Sequence, residues 1–420
     1  MTRKLIVDIE TTTSPIDKIW MVGTLDYDTD EVRTFTYPLN KEEIQECLNQ
    51  YDEIIGHNFI DFDAPILTKL EKVSFDGLLV TDTLILSRLQ NPQREGGHSL
   101  KSWGDRLGFP KGDYDDWSNL NDEMVKYCIQ DLKLTKKVYI ALSEKLAPFG
   151  DTSIILEHQV QTILTKQIAH GWLLDTKQCF SLLGELKERK LEVEHEVRTK
   201  FKPLATFVKE VTPKYNKDGN ISVNGLKFLG DDIGIVCGVF SRIDFPEFNL
   251  GSRQQIGKYL KFFGWKPVDF TEKGHPIVDE KALGKVKDIP EALLIAEYLT
   301  LQKRIAQVQS WVDASDKKDQ RVHGYVNTIG AVTGRMTHSS PNLAQVPSVY
   351  SPYGKECREC WTVPKGYKLV GADAAGLELR MLAHYMNDKE YTDAILHGDI
   401  HTTNQEAAGL TTRDSAKTFI

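Results

Sequence analysis

The sequence predicts a multi-domain α/β protein, and three observations support this fold class. The chain has 420 residues, which is more than a single hydrophobic core usually accommodates. Residues 1–150 alternate short apolar runs with stretches of helical periodicity, as expected where strands and helices follow one another. From about residue 151 the pattern changes to long helices, and an apolar run at residues 369–372 indicates a further strand.

The composition is that of an ordinary soluble protein, with 40% hydrophobic and 27% charged residues. No apolar run reaches the length of a membrane span, and the N-terminus leads straight into a predicted strand, so we expect neither a membrane anchor nor a signal peptide. The net charge of −8 does not suggest a nucleic-acid partner. It does not exclude one, because carboxylates around metal sites lower the net charge of a protein whose DNA-facing surface is basic.

Six cysteines are scattered along the chain, which predicts reduced thiols in a cytosolic setting. Cys357 and Cys360 form a lone Cys-x-x-Cys pair without a second pair or neighbouring histidines. We therefore expect neither a zinc site nor a redox pair there.

The first predicted strand, residues 5–10, carries two carboxylates on one face. Asp8 and Glu10 are two residues apart and therefore point the same way. Two adjacent carboxylates repel each other, which raises a pKa unless a cation lies between them. A divalent metal ion would relieve the repulsion. For this pair alone, a solvated sheet edge remains an equal alternative.

Two later segments add matching side chains. Asp63 begins a predicted helix, with Asn58 just before it, and residues 121–139 form a second helix on which Tyr127 and Asp131 share a face. Residues 82–89 and 98–104 predict two further helices, the first capped by its leading aspartate.

Together these segments resemble the three motifs of a 3′→5′ proofreading exonuclease domain of the DEDD superfamily, Tyr-type: Asp-x-Glu-Thr, Asn-x-x-x-Phe-Asp and Tyr-x-x-x-Asp. The resemblance implies a ribonuclease H-like exonuclease domain with two divalent ions about 4 Å apart, Mg²⁺ or Mn²⁺ rather than zinc. One ion would activate a water and the other would stabilise the leaving 3′ oxygen. Tyr127 would orient that water, and Asn58 would contact the primer end or cap the helix. The implied metal ligands are Asp8, Glu10, Asp63 and Asp131.

The middle of the chain predicts long helices at residues 155–170, 176–200 and 290–312. Gly171 would end the first helix, and Ser252 would cap another. Residues 171–175 and the Phe-Asn-x-x-Ser-x-x-Gln run at 248–255 resemble the thumb of family A (DNA polymerase I-like) DNA polymerases. Some phage members carry a long processivity-factor-binding insert in the thumb, and residues 201–248 are too short for a full version of it.

The stretch at residues 369–380 begins as the predicted strand, places Asp373 at its end, turns on small residues and then starts a helix. A carboxylate at a strand end is exposed yet rigidly supported, which suits a metal ligand. The pattern Asp-x-x-Gly-x-Glu-Leu-Arg resembles the first palm motif of family A polymerases. The resemblance makes Asp373 a metal ligand of the polymerase site and places Glu378 under the incoming sugar, where it excludes a 2′-hydroxyl. Ala375 departs from the family's usual serine.

Two further signatures follow the same family. Thr333-Gly334-Arg335, followed by residues 341–347, implies that Arg335 reaches into the minor groove at the primer terminus. The Asp-Ile-His-Thr at 399–402 and the helix opening near residue 412 imply triphosphate contacts. The residues concerned are His401, Arg413 and Lys417.

The resemblance implies four parts. They are an exonuclease domain at 1–150, a mostly helical thumb at 151–320, a partial α+β palm at 321–386 and the start of the fingers at 387–420. The next family motif is cut at Ile420. We therefore expect the N-terminal part of a DNA-directed DNA polymerase, with proofreading exonuclease and half of a polymerase site.

A second, C-terminal chain would complete the polymerase site, which would then hold two ions of its own. The implied substrates are primer-template DNA and dNTPs, and the location is the cytoplasm, that of the host if the gene belongs to a phage. The alternatives are a stand-alone 3′→5′ exonuclease and a non-catalytic subunit that binds primer-template.

Overall fold

The structure is a computed structural model that describes residues 2–398, 402, 405, 406 and 408–411, apart from the side chains at 225, 231, 233 and 234. The chain divides into two compact units, residues 1–362 and 363–420. None of the helices in the described part combines the length and apolar character that a membrane span requires.

The first unit begins with a five-stranded sheet in the order β3-β2-β1-β4-β5. The central strand β1 pairs antiparallel with β2 and parallel with β4, while β3 and β5 form the edges. The strands are β1 Lys4–Thr11, β2 Ile19–Asp26, β3 Val32–Thr36, β4 Glu53–Gly56 and β5 Leu79–Asp82.

Strand β1 extends beyond its parallel neighbour. Its pairing with β4 covers only Lys4, Leu5 and Ile6, whereas its pairing with β2 continues to Thr11. The end of β1 that carries Asp8 and Glu10 is therefore open on one side, which leaves room for a cavity.

Helices cover both faces of the sheet because the side chains of β1 alternate. Leu5, Val7 and Ile9 pack with α1 and α2, whereas Ile6 on the opposite face packs with α3, α4 and α5. Asp8 and Glu10 share the face of Ile6 and so point toward α5. The helices are α1 Lys41–Leu48, α2 Asp63–Glu71, α3 Thr83–Gln90, α4 Leu100–Leu107 and α5 Asp122–Leu146.

The predicted helices at 82–89, 98–104 and 121–139 are confirmed as α3, α4 and α5, and α5 continues to Leu146. Each begins at a polar side chain that accepts a backbone N–H of the first turn, which satisfies an otherwise unpaired donor. The capping residues are Asp82, Ser99 and Asn121.

The remainder of the first unit is mostly helical. The predicted helices at 155–170, 176–200 and 290–312 are confirmed, with Gly171 at the end of the first and Ser252 as the N-cap of α8. Helices α7 and α10 pack against each other around one core. The helices are α6 Asp151–His170, α7 Thr176–Lys200, α8 Arg253–Phe262, α9 Glu280–Gly284, α10 Pro290–Ala314 and α11 Gly354–Glu359.

Short strands connect these helices in three two-stranded sheets. Cys357 and Cys360 are buried free thiols in the same core. The strands are β6 Trp172–Leu173, β7 Thr206–Val211, β8 Phe240–Asp244, β9 Arg321–Val322, β10 Tyr325–Asn327 and β11 Thr337–Ser339.

The second unit contains helices α12 Leu377–Met386 and α13 Lys389–His397 among its described residues. The predicted strand at 369–372 is wrong: this segment has no strand partner among the described residues, and Val370 is 85% exposed. A strand exists only by hydrogen bonding to a neighbour, and the described part of this unit provides none. Asp373 therefore lies in irregular backbone before the turn that leads into α12.

Helix α5 crosses the sheet closely at Gly23 of β2, the partner of Asp8 in the ladder. A Cβ at Gly23 would lie 2.6 Å from Sγ of Cys128 and 3.0 Å from Cδ1 of Leu132. The absence of a side chain at Gly23 thus allows α5 to bring its polar residues close to β1.

We expect Gly23→Ala to destabilise the protein by about 1–3 kcal/mol, because the added carbon has to displace α5. The measurement is the melting temperature by calorimetry. Gly184→Ala is the matched control: it lies in helix α7, nothing lies within 4 Å of the added carbon, and we expect a gain of up to about 1 kcal/mol. Equal melting temperatures for Gly23→Ala and the wild type would contradict this account of the α5 contact.

Candidate active site

Four carboxylates from three elements line one cavity of about 810 Å³. β1 contributes two of them, the first residue of α2 contributes the third, and α5 contributes the fourth. The structure thus brings together the carboxylates that the sequence placed 123 positions apart at the extremes: Asp8, Glu10, Asp63 and Asp131.

Backbone contacts fix this arrangement. Oδ1 of Asp63 accepts a hydrogen bond of 3.1 Å from the backbone N–H of Ile9, which ties the start of α2 to β1 between the two strand carboxylates. On the other side, Sγ of Cys128 lies 3.8 Å from Oδ2 of Asp8. Cys128 precedes Asp131 on α5 by about one turn. The same face of α5 therefore contacts Asp8 of β1 and carries Asp131 into the carboxylate cavity.

The raised pKa values of the four carboxyl groups indicate that the cavity binds a cation. Burial, reinforced by the charge of Asp131, raises the pKa of Asp8 to about 7. Burial and the neighbouring Asp8 and Asp131 raise the pKa of Glu10 to about 10. Burial likewise raises the pKa values of Asp63 and Asp131. In the absence of a cation, these groups would have to take up protons near neutral pH.

Two buried oxygens support the same conclusion. Oε1 of Glu10 and Oδ1 of Asp131 have no hydrogen-bond partner among the described residues, although buried carboxylate oxygens are normally paired. All four side chains offer oxygen, the ligand preferred by Mg²⁺ and Mn²⁺. The residues therefore fit a divalent metal centre.

Cys128 also offers a ligand atom close to those of Asp8 and Glu10, within 4.8 Å. Burial and the surrounding carboxylates raise the pKa of its thiol well above the usual value. Without metal the thiol is therefore protonated and uncharged at neutral pH, and Mg²⁺ and Mn²⁺ prefer the carboxylate oxygens as ligands.

Tyr127 lies one turn before Asp131 on α5 and lines the same cavity, as its sequence spacing predicted. Its ring contacts those of Tyr114 and Trp117, with centroid distances of 5.6 and 5.7 Å. Burial raises the pKa of Tyr127, so its hydroxyl remains protonated at neutral pH.

Lys111 is a site residue that the sequence reasoning missed. Its Nζ lies 2.6 Å from Oδ2 of Asp131 and 4.9 Å from the ring centroid of Tyr127. A lysine in an irregular loop carries no periodic signal that would distinguish Lys111 from other lysines.

Two parts of the chain match known protein families. Residues 5–143 match the RNase_H superfamily, and residues 238–419 match DNA polymerase family A. The DNA-directed DNA polymerase of Escherichia phage T7 is 35% identical over an alignment that covers 87% of this chain and 67% of the phage protein. The chain belongs to family A of the DNA polymerases. Its N-terminal exonuclease-like domain has the ribonuclease H-like fold, as predicted.

Other members of the family show the same relationship. The polymerase of Enterobacteria phage T3 is likewise 35% identical with the same coverage, and DNA polymerase I of Helicobacter pylori is 27% identical over 85% of this chain and 35% of its own length. A solved structure described as the POL domain of Pol1 from M. smegmatis in complex with DNA primer-template and dNTP has a TM-score of 0.71 at 17% identity. The match covers 100% of this chain and 66% of that one.

Asn58, the predicted contact for the primer end, lies on the loop that leads to α2. Its alternative role as a helix cap is wrong, because the N-cap position of α2 is Phe62 and no side chain caps that helix. Asn58 has a left-handed backbone with φ of 61°, and its N–H donates to the Asp82 carboxylate over 2.8 Å. Asp82 also accepts from the backbone N–H of Ile60 and thereby holds the whole loop.

His57 supports the same loop through a hydrogen bond to Thr83. Its Nδ1 lies 2.8 Å from Oγ1 of Thr83, and that hydroxyl donates its single proton to the Gly56 carbonyl. The imidazole N–H is therefore the donor to Thr83. Burial lowers the pKa of His57 to about 3, so the ring is neutral at physiological pH.

A second cavity of about 900 Å³ adjoins the carboxylate cavity. The two cavities share several lining residues, and the second has cationic and aromatic side chains on its walls. The shared residues are His57, Asn58, Lys111 and Tyr127. Residues that line only the second cavity include Arg88, Lys101, Tyr114 and Tyr325.

Helix α6 and strand β10, which follow the exonuclease-like domain in the chain, are attached to it at Asp61. The Asp61 carboxylate accepts from Nε2 of Gln161 at 2.7 and 2.9 Å and from the Thr165 hydroxyl. The hydroxyl of Tyr325 lies 3.5 Å from Oδ2 of Asp61. Tyr325 thereby forms part of the wall of the second cavity.

The residues predicted for the polymerase site are placed as follows. Arg335 lies in an exposed turn of the first unit, where its carbonyl accepts from the backbone N–H groups of Gly330 and Ala331. Asp373 and Glu378 lie in the second unit, and Glu378 is in the first turn of α12. The remaining predicted residues lie outside the described part of the chain: His401, Arg413 and Lys417.

The raised carboxyl pKa values predict that metal binding stabilises this protein more at alkaline than at acidic pH. The unfolded pKa of Asp8 is about 4, and the folded value is about 7 without metal. Its contribution to folding is therefore present below pH ~4 and lost as the pH rises through about 7. A divalent ion replaces the protons, so the increase in melting temperature caused by Mn²⁺ should be larger at pH 8 than at pH 5.5.

The measurement is differential scanning fluorimetry of metal-free protein with and without Mn²⁺ at both pH values. Asp8→Asn removes the titrating group and should reduce the pH dependence. An equal Mn²⁺ effect at both pH values in the wild type would contradict this assignment of the metal centre.

Proposed function

We propose that this chain is a DNA polymerase polypeptide that removes nucleotides from DNA 3′ ends at the carboxylate cavity and carries part of a dNTP-transfer site. The observation that carries the proposal is the convergence of four carboxylates and Tyr127 in a cavity that adjoins a second one lined by lysine, arginine and aromatic side chains; three of the carboxylates are buried and Asp8 is half-buried. The second cavity offers rings for base stacking and cations for phosphates, the features that proteins use to hold single-stranded DNA.

In the nuclease reaction, this chain's side chains bind and orient rather than attack. Two divalent ions, Mg²⁺ or Mn²⁺, held by the four carboxylates would activate a water and stabilise the leaving 3′ oxygen. The protonated hydroxyl of Tyr127 orients the attacking water by hydrogen bonding. Asn58, on the loop held by Asp82, contacts the terminal nucleotide from the wall that both cavities share. Fixing the water and the DNA end in this way supplies the orientational part of catalysis.

The dNTP-transfer site follows the family pattern. We propose that Asp373 is a metal ligand, that Glu378 excludes the 2′-hydroxyl and that Arg335 contacts the minor groove of the primer terminus. Triphosphate contacts come from His401, Arg413 and Lys417. Membership of family A supports these roles.

A second polypeptide chain completes this site in our proposal and supplies the remaining metal ligand. The described part of the second unit supports it with exposed apolar side chains, since soluble monomers rarely leave such groups uncovered in clusters. Val370 is 85% exposed, Tyr385 84% and Tyr367 73%. A partner strand from that chain would also pair the unpaired backbone at 369–372.

Incubation of this chain with primer-template DNA, Mg²⁺ and all four dNTPs tests the nuclease. We expect the primer to shorten, and Asp8→Ala to reduce the rate at least about a hundredfold through loss of a metal ligand. Asp115→Ala, which removes an exposed carboxylate outside the carboxylate cavity, is the control and should leave the rate unchanged. An unchanged primer would instead favour a non-catalytic primer-template-binding subunit.

The completing chain is tested by adding a C-terminal polymerase polypeptide of a family A enzyme and measuring primer extension. We expect extension only from the pair, and Asp373→Ala to abolish it without affecting exonuclease activity. Extension by this chain alone would contradict the need for a second chain. Failure of every combination would leave a stand-alone 3′→5′ exonuclease as the better description.

A further inference from the structure

We propose that Lys111 is a positioning residue of the exonuclease site whose ammonium group binds Asp131 in the metal-free protein and transfers to a DNA phosphate when metal is bound. This inference rests on the exonuclease function proposed above. It assigns a role to the cation that the four-carboxylate arrangement leaves unexplained.

The ammonium group of Lys111 lies beside the carboxylate of Asp131. Nζ of Lys111 is 2.6 Å from Oδ2 of Asp131, while Oδ1 of Asp131 has no partner among the described residues. The Lys111 side chain is only 24% exposed and that of Asp131 only 3%, so solvent screens this ion pair weakly. Lys111 thus provides the carboxylate cluster with a positive charge in the absence of metal.

Lys111 and a divalent ion compete for the same carboxylate, that of Asp131. An ammonium group that remains hydrogen-bonded to a metal-ligating oxygen is strongly repelled by the ion, because the two charges lie in a buried site where solvent screens them weakly. Metal binding at Asp131 therefore favours movement of the ammonium group away from Oδ2.

The backbone of Lys111 is fixed, whereas its ammonium group can move. A Cβ on Gly104 would meet the backbone N of Lys111 at 2.9 Å, so α4 packs directly against this loop. From the other side, Nε2 of Gln130 donates to the Pro110 carbonyl over 2.9 Å. The backbone is held between α4 and α5, and the four-carbon stem of the lysine provides the freedom of movement.

Lys111 lies beside the proposed path of the DNA strand. Its side chain lines both the carboxylate cavity and the second cavity. A DNA strand that passes from one into the other carries its phosphates past this side chain. A lysine released from Asp131 then has a phosphate as its nearest alternative partner.

The experiment measures binding of a 3′-phosphorothioate oligo(dT) by fluorescence anisotropy, in EDTA and in Ca²⁺, with wild type and Lys111→Met. In Ca²⁺ we expect Lys111→Met to bind about tenfold more weakly, with a salt dependence reduced by about one phosphate contact. In EDTA we expect less than about a twofold change, because Lys111 is then bound to Asp131. Lys111→Arg should restore most of the affinity in Ca²⁺.

Direct Mn²⁺ binding to the metal-free proteins, followed by electron paramagnetic resonance, gives a second readout. Lys111→Met should bind Mn²⁺ about threefold more tightly or better, since the competing cation is gone. Lys145→Met is the matched control: Lys145 is exposed in the last turn of α5 and lines neither cavity. It should change neither quantity.

Equal loss of DNA affinity in EDTA and Ca²⁺, or weaker Mn²⁺ binding by Lys111→Met, would overturn the transfer and leave a static structural lysine. Melting temperatures of the variants identify any that fail to fold, and Lys111→Arg then provides the test. The wild-type exonuclease rate on unmodified oligo(dT) in Mg²⁺ is measured in parallel. Its absence would refute the proposed function, whereas its presence with unaltered Lys111→Met binding would refute only this inference.

Discussion

Repulsion among four carboxylates, three buried and one half-buried, is the constraint on which the N-terminal part of this protein depends. The group exists because β1 extends beyond β4 and because Gly23 allows α5 to approach the sheet. Without a compensating cation, burial would force protons onto these side chains near neutral pH. A divalent ion would relieve this repulsion, and Lys111 relieves part of it through its ion pair with Asp131.

The loop before α2 shows how the fold converts local order into a positioned site. The carboxylate of Asp82 caps α3 and at the same time accepts the backbone N–H groups of Asn58 and Ile60. The N–H of Asp82 in turn donates to Nε2 of His158 on α6, over 2.8 Å. The capping residue of α3 thus links the loop before α2 to a helix outside the exonuclease-like domain.

The attachment at Asp61 extends this link. Gln161 and Thr165 of α6 bind the Asp61 carboxylate, and Tyr325 reaches it from β10. Two elements that follow the exonuclease-like domain in the chain therefore form part of the surroundings of its cavities.

The sequence by itself determined the elements whose signals are local. The strand with Asp8 and Glu10, the helix that starts at Asp63 and the shared face of Tyr127 and Asp131 all follow from short-range periodicity and capping. The long helices were predicted within a few residues for the same reason. The family was recognised from motif order, and the comparisons confirmed it.

Only the tertiary structure decided the features that depend on contacts distant in sequence. Lys111 reaches Asp131 from an irregular loop, Tyr325 reaches the cavity from β10, and neither has a local pattern. The apolar run at 369–372 shows the converse, since a local pattern formed no strand. A helix satisfies its backbone hydrogen bonds within one segment, whereas a strand requires a partner that the described part of its unit does not provide.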